Sequence, residues 1–361
     1  MDRTSRRQFL LASLASPLAA YTRGPSLPSQ IVRFSDPATE FHVQRLTSPS
    51  YSSFLPAPGV NCISHRTSFI LYSSDREGAL APYRMEIKNG ESRQLADTPG
   101  LHPESLTLAA ADKSAFFLDS SGVHSVSLGN GRDRQIYSIP DGFEAGPNLG
   151  VSSDGLYFSL VEKRAGRSRL RLLHSGRDEP VTLLESNDPL SSPAFRPKRA
   201  GLLFRRAGGL WLSGFDPASA RKLAIAPGPL GPALWTEEGR TVLYLLTPDD
   251  PKQLPSLREF TPDTNQDRFV SNTSRFATFN VNSDSSVFVG ASLSKASPFV
   301  LLLLRSVHRE LTICEHRASN PALVSPIFSP DSQRVFFQSD KEGKQAIYMM
   351  NVERLVEETD E

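Results

Sequence analysis

A chain of 361 residues that is 39% hydrophobic, with 21 Phe, has ample material for a core, and its 28 Pro and 23 Gly suit a fold with many turns. Net charge is +1, but the first 23 residues carry Arg3, Arg6, Arg7 and Arg23 against Asp2, which leaves −2 for the rest. Without a basic excess to neutralise phosphates, nucleic acid is excluded as an expected partner.

Arg3-Thr4-Ser5-Arg6-Arg7-Gln8-Phe9-Leu10, followed by a mainly apolar run to Ala20, resembles a twin-arginine export signal and implies a periplasmic or secreted protein. The run is too short to span a bilayer, and no other transmembrane candidate follows. Residues 21–37 are rich in Pro and Ser and read as linker. Phe41 to Leu46 alternates as a strand should, with no partner close in sequence.

From Ser52 onward one pattern repeats. Its clearest copy is the last, Ser325 to Val352. A short strand ends at Phe328, and Ser329-Pro330-Asp331-Ser332 turns, with Pro presetting φ and Asp able to bond its own backbone. A second strand spans Arg334 to Gln338, Asp340 to Gly343 turns again, and Ala346 to Val352 is a third strand. Degraded copies of the first turn lie at Ala111 to Ser114, Ser153 to Gly155, Pro197 to Arg199, Glu237 to Gly239 and Ser283 to Ser285, spaced 40 to 47 residues apart, with an earlier one at Ser64 to Arg66. Seven units of this length are four-stranded, WD40-like blades, and helical spacing is nearly absent. The expectation is an all-β protein, a seven-bladed β-propeller over residues 38–353 and likewise a monomer. The last unit supplies three strands only, so Phe41 to Leu46 is expected to complete it and close the ring. Residues 354–361 read as an acidic tail.

The residues name no active site by themselves. No two of the seven histidines lie within a local metal-binding spacing, and no Gly-x-Ser-x-Gly elbow or phosphate-cradling loop is present. Cys62 and Cys314 make neither a disulfide framework nor a metal site and read as small buried hydrophobes.

Blade units of the Ser-Pro-Asp…Asp-x-x-Gly…Tyr type look like the periplasmic TolB propeller. A resemblance covering nearly the whole chain runs through Asp36-Pro37-Ala38-Thr39-Glu40, Val43-Gln44-Arg45-Leu46-Thr47, the Asp75 to Gly78 turn, Tyr137 to Pro140, Pro193-Ala194-Phe195-Arg196-Pro197 and the final blade. These are similar to oligogalacturonate lyases, seven-bladed propellers of pectin degradation. The resemblance implies β-elimination on oligogalacturonides with a divalent metal, usually manganese, held by histidines and a glutamine. At the positions where it places those ligands this chain has Thr278, Leu323 and Ser325 for the histidines and Asn320 for the glutamine. Where it places the catalytic arginine and histidine stand Gly209 and Pro232 or Ala233. Hydroxyls and a leucine do not replace imidazoles for a transition metal, so no metal cofactor and no catalytic residue is expected. Arg205 and Arg206, beside the lost arginine, are the candidates for binding a substrate carboxylate. Two functions compete: a degenerate lyase relative that binds an acidic oligosaccharide, and a non-enzymatic TolB-like propeller presenting its rim to a protein partner.

Overall fold

The computed structural model describes residues 25–176, 179–250 and 252–356, so the expected signal lies outside the described residues. Seven antiparallel sheets follow one another along the chain, six of four strands and one of five. This is the expected seven-bladed propeller. Blade one spans residues 53–94, blade two 107–138, blade three 144–186, blade four 190–222, blade five 230–272 and blade six 276–315. Blade seven combines residues 327–351 with the N-terminal strands.

The repeat seen in sequence is a repeat of backbone conformation. In the turn that leads into the second strand of every blade a residue adopts positive φ: Thr67, Asp112, Gly155, Lys198, Gly239, Ser285 and Ser332. The side chain three residues earlier often secures the turn. Ser152 Oγ accepts from Tyr157 N at 2.9 Å, Ser329 Oγ from Arg334 N at 2.9 Å, and Asn282 Oδ1 from Val287 N at 3.0 Å. Those short polar side chains replace backbone partners that the turn leaves open.

Burial falls from the middle of each blade to its rim. Phe69–Ser74 and Val287–Ser292 are buried at every residue, because neighbouring blades cover both faces. Outer strands such as Asp133–Ser138 contain no buried residue. Tyr72, Phe117, Phe158, Phe204, Tyr244, Phe288 and Phe337 are fully buried on the middle strands. Each such aromatic stabilises the ring by about 2 kcal/mol through burial alone.

Closure follows the expectation and exceeds it. His42–Arg45 lies antiparallel to Ala346–Asn351, with Val43 opposite Met350 and Arg45 opposite Tyr348. Val32–Ser35, within the stretch read as linker, adds a fifth strand outside it. Leu27 then bridges to Ser92 on the outer strand of blade one, with both backbone bonds made, at 2.8 and 3.1 Å. Residues 27–35 therefore strap the seam between the last blade and the first. Asp36, 1% exposed, anchors the strap's end. Its carboxylate accepts from Ala38 N, Thr39 N and Glu315 N, each at 3.1 Å, which ties the strap to blade six. At the start of the stretch read as tail, Glu353–Val356 is one helical turn, and Leu355 and Val356 pack on the core between blades six and seven; residues 357–361 lie outside the described residues.

Candidate functional site

The innermost strands of blades three to six begin on one face of the ring, and each is interrupted there. Pairing shifts between Ala145 and Leu149, Ser191 and Ala194, Leu230 and Ala233, and Phe276 and Thr278. Three of the four skipped stretches contain a proline, Pro147, Pro193 or Pro232, which has no N–H to lose from the ladder. In blade five the bulge leaves backbone carbonyls that the neighbouring blade uses.

Arg205 is the clearest case. From the second strand of blade four its guanidinium donates to the Leu230 carbonyl at 3.3 Å and to the Gly231 carbonyl in the bulge of blade five. Neither partner is charged, and no ion pair forms at Arg205 among the described residues. Burial lowers its pKa, which marks an incompletely compensated cation. Arg206, next in the strand, differs. Its Nε donates to Asp188 at 3.0 Å, and the guanidinium lies 4.9 Å from the Trp211 ring centroid.

The neighbouring arginines on blade three also have partners. Arg169 donates to Glu162 at 2.5 Å, Arg171 lies 3.6 Å from the same buried carboxylate, and Arg167 donates to Asn187 at 3.2 Å. Tyr137 donates to Glu162 at 2.5 Å, and its pKa is pushed up to about 12, first by burial and then by that carboxylate. The sequence shows these arginines as a series but not that one glutamate joins two of them.

Gly209 and Pro232 offer no general base. Gly209 closes the hairpin over Ala207 and Gly208, both at positive φ, and a methyl added to it would meet Lys222 Cε at 3.0 Å. Pro232 belongs to the blade-five bulge.

The four positions where the resemblance places metal ligands do not form a donor set. Thr278 is 1% exposed, and its hydroxyl has no partner among the described residues. Ser325 is buried at φ +48°, its hydroxyl donating to Pro56 O at 3.4 Å. Asn320 Oδ1 accepts from Ala322 N at 3.1 Å as the cap of the 3-10 turn Pro321–Leu323. Leu323 is half exposed and has no lone pair to offer. Gln338, which sequence reasoning did not single out, fixes this loop by donating to Leu323 O at 2.6 Å and accepting from Leu55 N at 2.5 Å. Its signal in the sequence is a lone amide in the apolar run Val335 to Phe337. One orphaned hydroxyl among committed or apolar groups does not fit a divalent ion. Among the described residues no three His, Cys, Asp or Glu side chains converge as a metal site.

His316 is the one fully buried histidine among the described residues. Its Nε2 is 3.0 Å from Ser292 O and its Nδ1 accepts from Ala318 N at 3.1 Å, a bonding pattern that suits a neutral ring. Burial lowers its pKa, against the pull of the Ser292 carbonyl. Its role is structural.

An oligogalacturonide lyase of Pectobacterium atrosepticum is 22% identical to the chain over 91% of this chain and 98% of its own length. The oligogalacturonate lyase of Dickeya dadantii is 20% identical over the same shares. The chain resembles the oligogalacturonate lyases. An oligogalacturonate lyase solved in complex with manganese superposes with a TM-score of 0.85 at 19% identity, covering 91% of this chain and 97% of that one. The lyase likeness thus covers about nine-tenths of the chain. No family model matches the chain.

Proposed function

We propose that this lyase-like propeller is an exported protein that binds an acidic oligosaccharide where its innermost strands begin, with little or no lyase activity. The observation that carries the reading is Arg205: a half-buried guanidinium, held by two carbonyls and, among the described residues, by no carboxylate, on the face where the innermost strands begin. A uronate carboxylate would complete its hydrogen bonding and offset its charge. Elimination from a uronate needs its carboxylate polarised and a base at the adjacent carbon. Thr278, Leu323, Ser325 and Asn320 do not supply the first, nor Gly209 and Pro232 the second.

Calorimetry with trigalacturonate is expected to give saturable binding, with Kd in the range of about 10 μM to 1 mM. Arg205→Gln should weaken it roughly tenfold, the loss of one charged hydrogen bond of about 1.4 kcal/mol. Mixed with the same sugar and added manganese, the protein should not produce the ultraviolet absorbance of an unsaturated uronate. Robust metal-dependent absorbance would overturn the degenerate reading, and unchanged affinity in Arg205→Gln would remove Arg205 from the site.

Export rests on Arg6 and Arg7 ahead of an apolar run. Replacing both by lysine is expected to leave the protein in the cytoplasmic fraction; unchanged export would contradict this reading of the signal.

A further inference from the structure

On the opposite end of the ring, where third and fourth strands turn, a cleft of about 330 Å³ opens between blades one and two. One wall is the outer half of blade one, with Arg84 and Glu86 on the third strand and Glu91, Arg93 and Leu95 at the fourth. The other wall is the corresponding turn of blade two, with Ser127 and Leu128.

The charges on the first wall are arranged against their own interest. Arg84 stands directly opposite Arg93 in the antiparallel register. One step along, Glu86 stands opposite Glu91, joined by the backbone bond from Glu86 N to Glu91 O at 2.9 Å. Like charges directly across a sheet destabilise it. Among the described residues only one ion pair relieves them, Arg84 to Glu86 at 2.7 Å along the same strand. Among the described residues neither the Arg93 guanidinium nor the Glu91 carboxylate has a charged partner.

Arg84 is also fixed in place. Its guanidinium lies 4.0 Å from the Phe69 ring centroid, and its Nε is buried without a hydrogen-bond partner among the described residues. The cleft therefore has an arginine end and a glutamate end. Two residues of strand, about 7 Å of backbone, separate the two cross-strand pairs, although on the third strand the Arg84 and Glu86 side chains themselves meet. Leu95, beyond the arginine pair, and Leu128, on the blade-two wall, supply the cleft's apolar lining.

We propose that this cleft binds a small zwitterion of dipeptide length, its carboxylate between Arg84 and Arg93 and its ammonium between Glu86 and Glu91. Such a ligand places opposite charge at both like-charge pairs at once. A simple anion or cation relieves one pair and adds to the repulsion at the other. The site is independent of the acidic-sugar reading, since it shares no residue with it and lies at the other end of the ring.

The test uses glycylglycine as probe, titrated by calorimetry or by NMR shifts of the full protein. Saturable binding is expected, with N-acetylglycine and glycinamide, which each carry one of the two charges, at least about tenfold weaker. Arg93→Gln and Glu91→Gln, both exposed positions, should each weaken glycylglycine about tenfold. A second measurement reads the frustration directly: without probe, Arg93→Gln should raise the thermal midpoint, because the arginine pair is relieved. No saturation by about 50 mM glycylglycine, or equal affinity in both variants, overturns the proposal. A lowered midpoint in Arg93→Gln does the same, since it would mean that a diagonal attraction to Glu86 already neutralises Arg93.

Discussion

Gly239→Ala is expected to destabilise the protein by about 4 kcal/mol, enough to disrupt the junction between blades four and five. A methyl at this position would lie 2.1 Å from the Pro197 carbonyl oxygen, and the residue sits at φ +62°. The obstacle is backbone, so no side chain can swing away. The contact is also the centre of a network. Arg196 Nε donates to the Gly239 carbonyl at 2.6 Å, while its two terminal nitrogens donate to Asp263 at 2.8 and 2.7 Å. The same guanidinium lies 5.3 Å from the Trp235 ring centroid. Moving residue 239 away from Pro197 would stretch that network. Gly208→Ala is the internal control: φ is +72° there, but nothing lies within 4 Å of the added carbon. Only the conformational cost of about 1 kcal/mol applies. Chemical denaturation of both variants checks the comparison, and similar losses would show that the Pro197 contact gives way freely.

Removal of residues 1–47 is expected to abolish cooperative unfolding altogether. That chain loses the strand His42–Arg45, so Ala346–Asn351 becomes an uncovered edge and the ring opens at its seam. It also loses Asp36, the tie to blade six. A chain starting at Asp36 keeps both and sheds only the strap, including Val32–Ser35 and the bridge from Leu27 to Ser92. Its midpoint should fall by roughly 5 °C relative to a chain starting at Pro25. Calorimetry of the three chains orders them. A sharp, unshifted transition in the shortest would mean that six blades and three strands close without the N-terminus.

The propeller was legible because its signal is local. Each blade writes its own turn chemistry into a few adjacent residues, as Ser329-Pro330-Asp331 does, and the period of the turns counts the blades. Closure was legible by subtraction: the last unit lacked a strand and Phe41 to Leu46 had no neighbour. The strap was hidden because its partners are remote. Asp36 meets Glu315 at a separation of 279 residues, and in sequence it sits in a stretch whose Pro and Ser content reads as unstructured. At the candidate site, sequence supplied residue types and the structure supplied their company. Arg205 and Arg206 are indistinguishable in a string, yet one faces bulge carbonyls and the other Asp188. Three of the four bulges leave only a proline as trace and the blade-six bulge leaves none, and proline has many other reasons to occur in such a chain.

The seam also has a consequence in time. Val43 and Met350 are partners, so nearly the entire chain must be made before the strand that closes the ring has anything to pair with. At a synthesis rate of roughly 5–20 residues per second, that strand waits about 15–60 s. During the wait the nascent propeller is an open arc with a bare edge at its growing end, the state most open to pairing with another copy. Blades one to six are sequence-local and can assemble as they emerge; the last step joins the chain's extremes and carries its largest loop-closure entropy. Chaperone demand should therefore concentrate late, at the seam, rather than be spread evenly around the ring.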